Sequence, residues 1–187
     1  TIIFLPCATS LVASALIFKS LFALDGLVNV LLVKHHFISQ PINWLTHPVW
    51  AKVIVIFTIT WRWTGYNTVF FLAGLQGIEY SIYEAARIDG ASTVQTFFRI
   101  TLPQLKPVVL LTAIMSTNGT LQLFDEVKNL TGGGPGNATI TISQYIYDLS
   151  FKYNPQFGYA AAVSYAILII VALLSFIQII LADRKEK

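Results

Sequence analysis

Charge is scarce in this chain: 11% of its 187 residues are Asp, Glu, Lys or Arg, where a soluble domain carries roughly a quarter. With 55% hydrophobic residues and a positive mean hydropathy, the composition is that of a membrane protein. A single cysteine, Cys7, excludes an internal disulfide and a cysteine-based zinc cage. The net charge of +3 is spread along the chain and shows no cluster of Lys and Arg on one face, so there is no nucleic-acid signature. His35, His36 and His47 lack helical metal-ligand spacing and nearby carboxylates; they read as solvated loop residues. The opening Thr1-Ile2-Ile3-Phe4-Leu5-Pro6 has no initiator Met, no basic leader and no small-residue cleavage site. It reads as the inside of a hydrophobic segment of a longer protein, not as a signal peptide.

What is present is a set of long gaps between charges. Crossing a hydrocarbon core about 30 Å thick takes roughly 20 apolar residues. Four stretches approach this: Thr1 to Phe18, Val53 to Ile78 with Arg62 inside it, Pro107 to Phe124, and Gly158 to Ala182. The expected fold is therefore an all-α membrane protein with four transmembrane helices. The segment "ALDGLVNVLLVKHHFISQPINWLTHP" between the first two spans carries turn signals at Asp25-Gly26 and the prolines, with Trp44 and Trp50 suited to a membrane interface. A surface loop with an interfacial helix is expected there. After the third span comes "DEVKNLTGGGPGNATITISQYIYDLSFKYNPQ", whose triple glycine lacks the Gly-Lys-Ser/Thr ending of a phosphate cradle. It reads as a turn, so any ATP must be hydrolysed by another chain.

A charged island, "EAARIDGASTVQTFFRITLP", separates the second and third spans. Ser81-Ile82-Tyr83-Glu84 has the pattern of a capping box and predicts a helix starting near Ile82. Gly90 supplies a left-handed residue to end it, and Ser92-Thr93-Val94-Gln95 is a second capping box. Val94, Phe97, Phe98 and Thr101 recur at helical spacing as one greasy face, and Pro103 and Pro107 are expected to stop this second helix. Ala85 and Ala86 form a small face that permits close approach of a partner. On residues alone, an amphipathic helix lying on the membrane and a docking element both remain open.

Polar side chains inside a span are costly and face either a watery path or a packed interface. The third span offers Ser116, Thr117, Asn118, Gly119, Thr120 and Gln122; the first adds Cys7, Thr9, Ser10 and Ser14. In the second, Trp61, Arg62, Trp63, Tyr66 and Asn67 combine aromatic faces with one charge. These residue types suit a sugar path, and equally small-residue packing with interhelical hydrogen bonds. Arg62 either touches substrate or pairs with a neighbouring carbonyl. Gly158, Ala160, Ala161, Ala162 and Ser164 in the last span read as helix packing. An ion-coupled transporter would carry an intramembrane carboxylate, yet only Asp125, at a span edge, approaches one. A membrane enzyme would need paired carboxylates, a nucleophile with its base, or a metal cluster, and no such set is apparent.

The island's spacing, Glu84-Ala85-Ala86, three residues, Gly90, nine residues, then Ile100-Thr101-Leu102-Pro103, resembles the EAA loop of permease subunits of bacterial ABC importers. "WLTHP", "TWRWTGYN", "LFDEVKNLTGGGPGNAT" and "FGYAAAVSYAIL" are similar to the carbohydrate branch related to the maltose permease. The resemblance implies that residues 1–187 are the C-terminal part of one ABC importer transmembrane domain, whose first helices are missing. It implies a cytoplasmic coupling helix, with Glu84, Ala85, Ala86, Asp89, Gly90, Ile100, Leu102 and Pro103 at the ATPase contact. It implies a substrate path including Cys7, Ser10, Trp61, Arg62, Trp63, Asn67, Ser116, Thr120 and Gln122. The implied partners are a cytoplasmic ABC ATPase dimer that alone holds ATP and magnesium, a second permease, an extracytoplasmic sugar-binding protein and membrane lipid. The runner-up cargo is a glycerol phosphate. Glu79 stands where such relatives commonly have proline, which shifts helix entry onto the Ser81 cap. Basic residues favour the cytoplasmic side: six, including Arg184, Lys185 and Lys187 of the tail, lie on the island's side and five on the other, a narrow vote for a cytoplasmic island.

Overall fold

The computed structural model describes residues 4–152 and 154–183. Among them there is no β-strand. The helices are α1 (Leu5–Ala8), α2 (Leu11–Leu21), α3 (Leu27–Lys34), α4 (Pro48–Gln76), α5 (Tyr80–Ile88), α6 (Thr93–Thr96), α7 (Leu102–Gln104), α8 (Lys106–Leu121), α9 (Asp125–Leu130), α10 (Ile142–Tyr147) and α11 (Phe157–Asp183), with π-helical turns at Phe97–Thr101 and Asp148–Lys152.

By length and composition, Phe157–Ala182 within α11 is long and apolar enough to cross a membrane. Its 27 residues rise about 40 Å, and its apolar side chains are largely exposed, Phe176 at 61%. Such a surface is stable only against lipid or another protein. Helix α4 is longer still, 29 residues, but Trp61 to Asn67 put a polar stretch at its middle. Its N-terminus is capped by His47, whose Nδ1 accepts from the Val49 amide, so this histidine is a helix cap.

The first predicted span is not one helix. The chain breaks at Thr9–Ser10, where the Ser10 hydroxyl accepts from the Ala13 amide and starts α2 afresh, leaving 11 residues in the longer piece. The part of that span at residues 1–3 lies outside the described residues, as does the basic tail of Arg184, Lys185 and Lys187.

Helix α2 packs on α9; α4 packs on α1, α8 and α9; and α8 and α10 pack on α11. The core gathers Ala15 and Phe18 of α2, Ile54 and Val55 of α4, and Leu123, Val127 and Leu130 around α9. Phe18 meets Phe57 and Trp61 edge-on, with ring centroids 5.8 and 5.2 Å apart. The predicted interfacial tryptophans extend this cluster: Trp44 meets Phe22 at 5.9 Å and Trp50 at 4.9 Å. The loop carrying Trp44 is clasped by Asn29, which is 1% exposed. Its amide donates to the Ala23, Leu24 and Ile42 carbonyls and its oxygen accepts from the Ile42 amide and the Trp44 indole.

The glycine-rich loop between α9 and α10 is a turn, as expected, and is built in detail. Gly132, Gly133, Gly136 and Asn137 all have positive φ. Gln144, 1% exposed, donates from Nε2 to the Gly132 carbonyl at 2.8 Å, while Thr139 bridges Thr131 and the Gly134 carbonyl. Among the small residues at the start of α11, Ala160 is buried; Gly158, Ala161 and Ala162 are exposed.

Candidate functional site

Two regions hold the residues marked by the sequence. The first is the charged island. Helix α5 begins at Tyr80 with Glu79 as its N-cap and no side-chain cap, so the Ser81–Glu84 box does not form. The Ser81 hydroxyl instead donates to the Glu79 carboxylate at 3.2 Å. With glutamate where a proline would fix φ, the nearest partner for that hydroxyl is an acid two residues back, and Glu84 is left exposed. The second box forms as predicted: Ser92 Oγ accepts from the Gln95 amide and Gln95 Oε1 accepts from the Ser92 amide. Gly90 joins the two helices at φ +74° with open space around it. Glu84, Ala85 and Asp89 lie on the surface while Ala86 is buried.

Pro103 does not stop the second helix. Leu102 donates its amide to the Phe97 carbonyl, five residues back, and the resulting π turn widens the helix where the Pro103 ring would otherwise crowd the preceding turn. The helix runs on to Gln104 and breaks at Leu105, bending 59° into α8. The π turn also resets the face: Val94, Phe97 and Phe98 are exposed whereas Thr101 is buried. Ile100 is half-buried, and Leu102 and Pro103 are exposed. Between α5 and this arm lies a cleft of about 460 Å³ lined by Tyr80, Tyr83, Arg87, Thr96, Phe97 and Thr101 among others.

The second region is a groove of about 400 Å³ between α4 and α8, lined by Ile56, Ile59, Thr60, Trp63, Thr64, Asn67, Ser116 and Thr120. Ser116 donates to the Asn67 amide oxygen at 3.4 Å across it. The two helices approach closely because Gly119 has no side chain; a Cβ there would overlap the Trp63 ring. The polar run of α8 is thus divided between two neighbours. Ser116 and Thr120 face the groove. Thr117 accepts from Gln178, and Asn118 from Ser175, both on α11, so this pair fastens helices together. Gln122 ends α8 as its C-cap and is exposed.

The remaining marked residues are spread out. Trp61 packs on Phe18 in the core cluster and does not line the groove. Cys7 is half-buried in α1, which lies against α4, and Ser10 caps α2. Arg62 forms an ion pair with Glu126 of α9, with side-chain exposures of 12% and 4%. Its guanidinium also lies 5.3 Å from the Trp63 ring centroid, a favourable cation–π contact. Glu126 lies beyond the span in sequence; the fold returns α9 against α4 and pairs it with Arg62, where a substrate or a neighbouring carbonyl was the expected partner. Asp148, 3% exposed, was likewise unmarked. It is flanked by Lys128 at 3.9 Å and Lys152 at 3.6 Å. Lys152 at i+4 was the local signal for it.

This arrangement contains a short, largely exposed helix, an arm bent into a second helix, and a polar groove that the second helix shares with α4. The whole chain, residues 1–187, matches the family described as binding-protein-dependent transport system inner membrane component, and it belongs to that family. It is 57% identical over 188 residues to the lactose transport system permease protein LacF of Rhizobium radiobacter, covering all of this chain and 63% of the relative. It is 43% identical over 137 residues to the trehalose/maltose transport system permease protein MalF of Thermococcus litoralis, covering 73% of this chain and 45% of that protein. Among solved structures, a bacterial ABC transporter involved in import of the acidic polysaccharide alginate superposes with a TM-score of 0.85 at 26% identity, over all of this chain and 65% of that one. The chain therefore spans less than two thirds of the length of each of these proteins.

Proposed function

We propose that this chain is the C-terminal part of the membrane-spanning permease subunit of an ATP-driven sugar importer in a bacterial inner membrane. In this reading α11, α4, α8 and the broken α1–α2 segment make four crossings. The island between α4 and α8 is the cytoplasmic coupling helix. A cytoplasmic ATPase dimer binds and hydrolyses ATP with magnesium, and this chain carries no catalytic residue or cofactor. An extracytoplasmic binding protein delivers the sugar, and a second, paralogous permease completes the path.

The observation that carries the reading is the island's geometry: a short helix exposing Glu84, Ala85 and Asp89, turned by a left-handed Gly90 into a capped arm. The exposed face of α5, which also carries Ile88 at 87% exposure, suits a docking surface. The names of the lactose and trehalose/maltose relatives favour a sugar cargo. A phosphate-bearing solute would call for clustered free cations, and Arg62, the cation beside the groove, is already paired with Glu126.

The test is co-purification of the ATPase with the full-length permease, together with binding-protein-stimulated ATP turnover in liposomes. A β-branched residue at φ +74° costs at least about 1–2 kcal/mol, so Gly90→Val is expected to misdirect α5 and abolish ATPase association and uptake. Glu84→Lys, which reverses an exposed charge, is expected to weaken association without altering membrane insertion. Wild-type association in both variants would reduce the island to a surface helix. For the groove, Thr120→Val is expected to raise the apparent KM for sugar roughly two- to tenfold, the factor of one hydrogen bond. Gln122→Leu, at the exposed helix end, is expected to change it less.

A further inference from the structure

The coupling helix and the arm meet through a pair of hydroxyls. Tyr83 Oη, on α5, lies 3.1 Å from Thr101 Oγ1, eighteen residues on. Thr101 is 8% exposed and is the last residue of the π turn, so the widened turn brings its hydroxyl to the floor of the 460 Å³ cleft. Leu102 to Gln104 complete the arm, and the chain then bends at Leu105, which is 7% exposed. That bend is pinned against α4: a Cβ on Gly74 would come within 2.7 Å of Val108 and 3.0 Å of Leu105. From there α8 runs without interruption to Ser116 and Thr120 in the groove. A continuous mechanical path thus leads from the docking face of α5 to the groove. It crosses the cleft at the Tyr83–Thr101 contact.

We infer that Tyr83 and Thr101 are positioning residues for transport: their hydrogen bond holds the angle between α5 and the arm, so that displacement of α5 turns the arm about Leu105 and moves α8. The inference rests on the proposed coupling role of α5. A single part-buried hydrogen bond is worth a factor of roughly two to ten in an equilibrium, which is small for folding and large for coupling. Tyr83 is half-buried and Thr101 buried, whereas Glu84 and Asp89 are exposed, so removing the two hydroxyls leaves the exposed charges of α5 in place.

The experiment uses the full-length permease in its complete complex with ATPase and binding protein, reconstituted in liposomes, and reads sugar transported per ATP hydrolysed. Tyr83→Phe and Thr101→Val are each expected to retain ATPase co-purification while transport per ATP falls roughly two- to tenfold. The double variant is expected to be no worse than either single one, because the second deletion removes a bond already lost. Thr101→Ser, which keeps the hydroxyl, is expected to restore coupling. Unchanged transport per ATP in both single variants, or single effects that multiply in the double, would overturn the inference. Gly90→Val, measured alongside, separates the two levels of argument. If it abolishes association while Tyr83→Phe changes nothing, the docking role stands and the hydroxyl pair has no part in it. If neither substitution has an effect, both readings fall.

Discussion

Arg62→Ala is expected to destabilise the protein by about 3–5 kcal/mol, because it leaves the buried Glu126 carboxyl without its partner. The carboxylate has 4% side-chain exposure, and α9, which carries it, packs on both α2 and α4. A lost pair there loosens the helix on which Val127 and Leu130 form the core. The check is thermal unfolding in detergent of Arg62→Ala beside the double variant Arg62→Met with Glu126→Leu. Replacing a buried ion pair with apolar side chains of similar volume is often close to neutral, so the double variant is expected to unfold well above the single one. Equal midpoints for the two would show that the defect comes from lost arginine packing and not from the stranded carboxyl.

Gly133→Ala is expected to have the second largest effect. At φ +88° any side chain is strained, by roughly 1–2 kcal/mol. The new Cβ would also lie 2.7 Å from Gln144 Nε2, the donor that closes the loop onto the Gly132 carbonyl. Forcing a buried amide off its partner adds about 1–3 kcal/mol. Gly132→Ala is the control, since its φ of +64° carries the same backbone strain with nothing within 4 Å of the new carbon. The gap between the two unfolding midpoints measures the Gln144 latch. Its absence would mean that Gln144 moves aside freely.

The features legible in the sequence are those whose cause is local. Helix α11 is announced by an unbroken apolar run, the Ser92–Gln95 box by a four-residue pattern, and Gly90 by its place between two helix signals. The features that were not legible depend on partners far along the chain. Glu126 reads as a loop acid until α9 folds back on α4; Asn29 and Gln144 read as ordinary polar residues until the segments they clasp are brought to them. Two local readings were overturned by a competing local effect. Ser81 found the Glu79 carboxylate before the backbone, and Pro103 was absorbed by a π turn that a residue-by-residue reading of proline does not anticipate. In the groove, Ser116 and Thr120 stand four residues apart on one side of α8, but only the position of α11 shows that Thr117 and Asn118 point elsewhere.

The Asn29 clasp has a practical consequence for labelling. All five of its hydrogen bonds reach Ala23, Leu24, Ile42 or Trp44, which fixes the two ends of the loop and leaves its tip out of the network. Phe37 at that tip is 76% exposed, and Ser39 and Gln40 are exposed beside it. The Phe37 amide donates to the Leu32 carbonyl at 2.9 Å and belongs to the end of α3, so the exposed stretch that accepts insertions readily begins after it. A short epitope or a reactive thiol spliced between Ser39 and Gln40 is expected to leave the clasp undisturbed. That tip is therefore a place from which an impermeant reagent can report which side of the membrane this end of the chain occupies.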